Sequence, residues 1–308
     1  MRKSIVFPGQ GSQYLGMGKY LFDNFKSSKL VFEEVDCALN QKLSNIIFGE
    51  DKNILNLTEN TQPAIMTVSI ATFEALKEIK GIEVNNFSFT AGHSLGEYSA
   101  LVASDSLKLP DAAKILKKRG QAMQAAVPVG KGSMAAILNV DVNELESYIR
   151  EKKLSSVEIA SDNCPGQCVI SGIKDDVEKI TSELKDDRKK KTILLPVSAP
   201  FHCKLMIPAA KELNEFFKKF KLLKPSIPII SNVSASPEED SEDIKKLLIK
   251  CVFSRVRWRE TVEFLSNQNI SKSIECGPGK ALTNMFKRFK FDMNCLKIDN
   301  LEDIQNYE

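Results

Sequence analysis

The segment Gly92-His93-Ser94-Leu95-Gly96 carries the residues of a nucleophile elbow. The apolar run Phe87 to Ala91 leads into it and a helical pattern, Glu97 to Ala103, follows, which is the strand-turn-helix context a Gly-x-Ser-x-Gly serine requires. Glycines suit the flanks because side chains there would collide with neighbouring chain on so sharp a turn. The following helix points its free N–H groups and positive dipole end at the serine, favouring a developing oxyanion. The chemistry is nucleophilic catalysis through a serine ester.

A serine hydroxyl needs a general base, and the chain has only two histidines, His93 and His202. His93 adjoins Ser94 on the elbow, where neighbouring side chains diverge, so His202 in Val197-Ser198-Ala199-Pro200-Phe201-His202 is the better candidate. The plain alternative is a structural histidine hydrogen-bonded in the core. No acid between Ser94 and His202 sits in an obvious loop to orient the imidazole, which points to a dyad whose second ring nitrogen is held by a backbone carbonyl. Two histidines also exclude a multi-histidine metal site.

The elements that must position these groups follow an α/β rhythm. Ser4 to Phe7 and Asn86 to Ala91 read as strands leading into Gly-containing turns, and helices are expected at Ala64 to Lys80, Gly96 to Ser104, Pro110 to Ala125, Pro208 to Lys221 and Ser241 to Phe253. Between Val127 and Val197 the rhythm changes to βαββαβ: strand Ser133 to Asn139, helix Val142 to Lys153, strands Val157 to Ala160 and Gln167 to Ser171, helix Asp175 to Leu184, strand Thr192 to Val197. That is the order of a ferredoxin-like module. It reads as an insert, residues 127–197, in a larger α/β domain with a parallel sheet formed by 1–126 and 198–308. The charge run Lys185 to Lys191 reads as a solvated helix end and turn, and Ser234 to Asp243 as a polar loop.

Composition narrows the class. With 308 residues, 43% apolar and 27% charged, the chain has room for a sizeable core, and 43 basic against 40 acidic residues is too even a balance for a nucleic-acid binder. Seven dispersed cysteines without a Cys-x-x-Cys pair argue for free thiols in a reducing compartment. No apolar stretch approaches the roughly 20 residues of a membrane span, and the apolar run before Pro8 is too short for a signal peptide. The expectation is a cytoplasmic protein without nucleic-acid or membrane partners.

Several ordered segments resemble the signatures of malonyl-CoA:acyl carrier protein transacylases: Phe7-Pro8-Gly9-Gln10-Gly11-Ser12-Gln13, Gly92 to Tyr98, Arg119-Gly120 with Met123-Gln124, Asn163-x-Pro165-Gly166-Gln167, Pro200-Phe201-His202 and Glu275-x-Gly277-Pro278-Gly279. Together they span essentially the whole chain. The resemblance implies a hydrolase-like large domain with a ferredoxin-like insert, and ping-pong transfer through Ser94 and His202 from coenzyme A to the phosphopantetheine of an acyl carrier protein. It implies an oxyanion hole from the backbone N–H groups of Gln10 and Leu95, and Arg119 as partner of the malonyl carboxylate. From the residues alone Arg119 reads instead as an exposed arginine among Lys114, Lys117 and Lys118. Gln62, Asn163 and Phe201 fall at substrate-pocket positions of the family, Phe201 at the one that selects malonyl over branched groups. Cys251 stands where members often have Gln and where a backbone carbonyl orients the histidine. No cofactor is implied beyond the coenzyme A thioester and the carrier's phosphopantetheine, and a monomer is expected.

Two other readings use the same residues. A serine hydrolase acting on thioesters or lipids would share the elbow, and a module that only docks carrier proteins would leave Ser94 and His202 without a task. Lys204, Arg255, Arg257, Arg259, Lys287 and Arg288 are candidates for meeting an acidic carrier.

Overall fold

In the computed structural model, which describes residues 2–186, 190–197 and 199–307, ten strands form two sheets. The strands are β1 Arg2–Phe7, β2 Phe89–Gly92, β3 Gly132–Leu138, β4 Val157–Cys164, β5 Gln167–Ile173, β6 Lys191–Leu194, β7 Ile229–Ile230, β8 Pro237–Glu238, β9 Ile270–Cys276 and β10 Asn294–Ile298. The larger sheet has the order β10-β9-β1-β2-β7-β8, parallel except for the edge pair of β7 with β8.

β1 shows why this sheet is central. Ile5, Val6 and Phe7 are all wholly buried, as in a parallel strand covered on both faces. Alternation sends Ile5 and Phe7 into a core built largely on the Thr58–Lys80 and Leu109–Ala125 helices, and Val6 into a second core with Trp258, Val262 and Leu282. The loop after β1 and the elbow after β2 therefore emerge side by side at the C-terminal edge of the sheet, where open α/β sheets bind ligands.

The smaller sheet is antiparallel in the order β4-β5-β3-β6, with the Val142–Glu151 and Lys174–Asp186 helices packed on it. Ala135 and Ile137 of β3 face those helices, whereas Met134 and Ala136 join the core of the larger part. The module thus presents its other face to the elbow.

Observed elements differ from the sequence expectations in instructive places. The helix expected to start at Ala64 begins at Thr58 and contains Pro63. The Thr61 and Asn60 side chains bond the Leu55 and Ile54 carbonyls, tying this early turn to the chain before it. β4 runs four residues past Ala160, because the polar Ser161, Asp162 and Asn163 are buried where the small part meets the Val256 segment: Asp162 N–H donates to Val256 O and Val256 N–H to Ala160 O, both at 2.9 Å. β6 stops at Leu194, ahead of Pro196. The helix expected to reach Lys221 ends at Phe217. The Ser234 to Asp243 loop holds the edge strand β8. Four helices lie between Lys19 and Asn56, where the sequence reading assigns no element. Of the Lys185 to Lys191 run, residues 187–189 lie outside the described residues; Lys185 is exposed, while Lys190 Nζ donates to Asn139 O at 2.6 Å.

Candidate active site

The elbow geometry requires its glycines. A Cβ on Gly92 would lie 1.9 Å from the Gly96 carbonyl carbon, and one on Gly96 would lie 2.3 Å from Phe7 O. Between them Ser94 has φ 54°, a left-handed conformation that an L-residue adopts at a cost of about 1 to 2 kcal/mol. Such strain persists only where surrounding structure fixes it.

Ser94 Oγ is 2.8 Å from His202 Nε2, and His202 Nδ1 is 2.7 Å from Cys251 O. Cys251 closes the Ser241–Cys251 helix, whose last carbonyls have no partner within the helix, so a free acceptor is available without any acid. A carbonyl only accepts, so Nδ1 carries the proton and Nε2 is left as the acceptor for the serine hydroxyl. His202 also has positive φ, 60°. Burial first, then the charge of Arg119, pushes its pKa down to about 3, which keeps the imidazole neutral at ordinary pH.

Arg119 lies in this site and not on the solvent face of its helix; it is 2% exposed. Its Nη1 donates to Gln62 Oε1 at 2.8 Å and its Nη2 to Ser94 Oγ at 3.1 Å, while Nε has no partner. Its helix neighbours behave otherwise: Lys117 pairs with Glu59 at 3.3 Å and Lys118 with Glu212. Among the described residues no carboxylate lies within ion-pair distance of Arg119. A buried, uncompensated guanidinium is costly, and an anionic ligand would offset that cost.

The remaining candidates surround these groups. Gln10, Gln62, Asn163 and Phe201 line one cavity of about 220 Å³ together with Ser94, His202 and Arg119. Met134, Ala136, Val169, Leu195 and Val197 of the small part also line it, as do Ala281 and Met285. Among the described residues, the backbone N–H groups of Gln10 and Leu95 have no acceptor, which leaves them free to bind an oxyanion. Asn163 proves less free than a pocket residue, since its Oδ1 meets His93 Nε2 at 2.9 Å and accepts from Ser161. His93 is thereby turned away from Ser94, toward β4.

Of the proposed surface cations, Arg255 pairs with Glu146 at 2.5 Å, Arg257 with Glu260, and Arg259 with Asp162 at 2.9 Å and Glu263 at 2.6 Å. Lys204 pairs with Glu158 at 3.0 Å but is largely exposed, and Lys287 and Arg288 are exposed. The Glu275 segment serves structure: its carboxylate accepts from Leu282 N–H at 2.9 Å and Thr283 N–H at 2.7 Å, capping the Ala281–Phe286 helix.

Sequence reasoning missed Asn232 and Glu97. Asn232 Oδ1 accepts from Ser94 N–H at 2.6 Å and its Nδ2 donates to Gly92 O at 2.7 Å; Glu97 Oε1 accepts from Asn232 N–H at 2.9 Å. Asn232 is 138 residues from Ser94, and no local pattern announces it.

An elbow serine after a parallel strand, hydrogen-bonded to a histidine and faced by an antiparallel module, is an arrangement suited to acyl transfer. The model of the acyl transferase domain family matches residues 5–288, and the chain belongs to that family. Among its relatives, a malonyl CoA-acyl carrier protein transacylase of Bacillus subtilis (strain 168) is 42% identical over 304 residues, 98% of this chain and 95% of the relative. One of Staphylococcus aureus (strain MSSA476) is 38% identical, covering 99% and 98% of the two chains. The crystal structure of an acyl-carrier-protein S-malonyltransferase from Bartonella henselae superposes with a TM-score of 0.95 at 44% identity, covering 99% of this chain and 98% of that one. A malonyl-transacylase solved in complex with its type II PKS acyl-carrier protein matches with a TM-score of 0.94 at 34% identity, over 99% and 98%.

Proposed function

We propose that this protein moves malonyl groups from malonyl-CoA to the phosphopantetheine thiol of an acyl carrier protein, supplying fatty acid synthesis, by way of a malonyl ester on Ser94. The observation that carries the reading is the buried Arg119, without a carboxylate partner, beside the Ser94–His202 pair. A planar guanidinium binds a carboxylate through two parallel hydrogen bonds, and malonyl is an acyl group that ends in one. Gln62 holds the guanidinium in place through its 2.8 Å bond.

His202 Nε2 takes the Ser94 proton as Oγ attacks the thioester carbonyl. The tetrahedral oxyanion rests on the N–H groups of Gln10 and Leu95, and collapse expels coenzyme A, whose sulfur receives the proton from His202. The carrier's thiol then gives its proton to His202 and attacks the ester, and Ser94 leaves reprotonated. No step calls for a metal or a resident cofactor. The chain is read as a larger part, 1–126 with 198–308, and an insert at 127–197; both line the cavity, the insert through residues such as Met134, Ala136 and Val169. Phe201, buried against that space, limits the room for branched acyl groups.

The carrier would approach over Lys204, Lys287 and Arg288; Arg257 and Arg259 are occupied by acids of this chain. The seven free cysteines support a cytoplasmic setting, and we read the protein as a monomer. Among the described residues no helix is long and apolar enough to cross a membrane.

The partition of malonyl between carrier and water tests the reading. With holo-carrier present, transfer should exceed release of free malonate by at least about tenfold; equal rates would mark a thioesterase that shares the elbow.

A further inference from the structure

The strained elbow has a buried support. Asn232, wholly buried just beyond β7, uses every polar group it has: Oδ1 on Ser94 N–H at 2.6 Å, Nδ2 on Gly92 O at 2.7 Å, N–H on Glu97 at 2.9 Å, and C=O accepting from Arg257 N–H at 2.9 Å. Glu97, 2% exposed, lies in the first turn of the helix behind the elbow. Its Oε1 accepts from Asn232 N–H, and among the described residues its Oε2 has no hydrogen-bond partner. The Glu97 carboxyl thus holds the residue that anchors the nucleophile.

Neither Ser94 nor His202 sits in a conformation its own residue type favours, so their register must come from such outside contacts. Resting on the Ser94–His202 mechanism proposed above, we infer that Asn232 and Glu97 are positioning residues: Asn232 fixes the elbow from below, and Glu97, acting as a hydrogen-bond acceptor for Asn232 N–H, holds Asn232 in place. Neither lines the cavity, so neither is expected to touch substrate. Because the role asked of Glu97 is that of an acceptor oxygen and not of a charge, glutamine should replace it.

The test is single-turnover malonylation of Ser94 by malonyl-CoA, followed by intact mass, in the full chain carrying Asn232→Ala, Glu97→Ala or Glu97→Gln, with circular dichroism to confirm folding. Asn232→Ala and Glu97→Ala should reach full labelling of one malonyl per chain but at a rate lower by about 30-fold, the scale set by misplacing reacting atoms by a fraction of an ångström. The malonyl-CoA concentration for half-maximal rate should stay within about twofold, and Glu97→Gln should label within about threefold of the parent rate. Parent-like rates in the alanine variants, a loss that merely tracks an unlabelled fraction, or Glu97→Gln as slow as Glu97→Ala would overturn the assignment. If Asn232→Ala does not fold, the two Glu97 variants decide. Label persisting in Ser94→Ala would instead remove the ester mechanism itself, whatever the other variants do.

Discussion

The roles proposed for Arg119, as partner of the acyl carboxylate, and for His202, as the base, each make a separate prediction. Removing the guanidinium with Arg119→Ala should cost malonyl transfer about 2 kcal/mol, roughly 30-fold in kcat/KM, the value of a charge-assisted pair. Acetyl transfer, which offers no carboxylate, should lose far less, so the malonyl-to-acetyl ratio falls; an unchanged ratio in a competition assay would contradict the role. His202, with its pKa pushed down to about 3, is an uncharged base across the neutral range, so acylation of Ser94 should show no imidazole limb near 6.5. Burial raises Glu97 to about 7, so an inflection there would belong to Glu97 and should vanish in Glu97→Gln. A limb near 6.5 that persists in that variant would show that the imidazole is not buried and neutral. Stability carries the same sign: the unfolded chain binds a proton at His202 below about 6.5 that the folded chain refuses, so this contribution is intact above 6.5 and is lost as pH falls toward 3.

At the scale of elements, the strand-turn-helix unit from β2 into the Gly96–Ala103 helix is the part the residues announced most clearly, because glycine spacing, apolar run and helix pattern all lie within a few residues of Ser94. The 1.9 Å approach at Gly92 makes a sharp prediction: Gly92→Ala forces backbone apart and should cost about 3 kcal/mol of stability, read from a denaturant midpoint, along with most Ser94 acylation. A stable, fully active variant would mean that the elbow is looser than described. A backbone acceptor for His202 was legible because the sequence lacked an acid, but its place at Cys251, like the roles of Gln10 and Leu95, only through the family resemblance. Asn232 was not legible, since a two-residue strand carries no periodicity and its meaning comes from lying beside β2. Arg119 shows the converse limit. Its lysine neighbours made it look solvated, and only the packing of helix Leu109–Ala125 on Thr58–Lys80 turned it inward.

For the whole molecule, the turns and helices around the large sheet hold Ser94, His202 and Arg119, and Met134, Ala136 and Val169 of the small sheet line the same cavity. Arg259 to the buried Asp162 and the Ser161–Val256 bridge hold the two together, on the side where His93 and Asn163 also meet. The βαββαβ order was readable from the change of rhythm, but the lengthening of β4 into polar residues was not, because those residues are buried by the other part of the chain. The central claim is the malonyl ester on Ser94, and intact-mass measurement after incubation with malonyl-CoA tests it most directly. The account predicts one malonyl adduct per chain, discharged by holo-carrier and absent in Ser94→Ala; no adduct, or an adduct that survives the Ser94→Ala substitution, would contradict it.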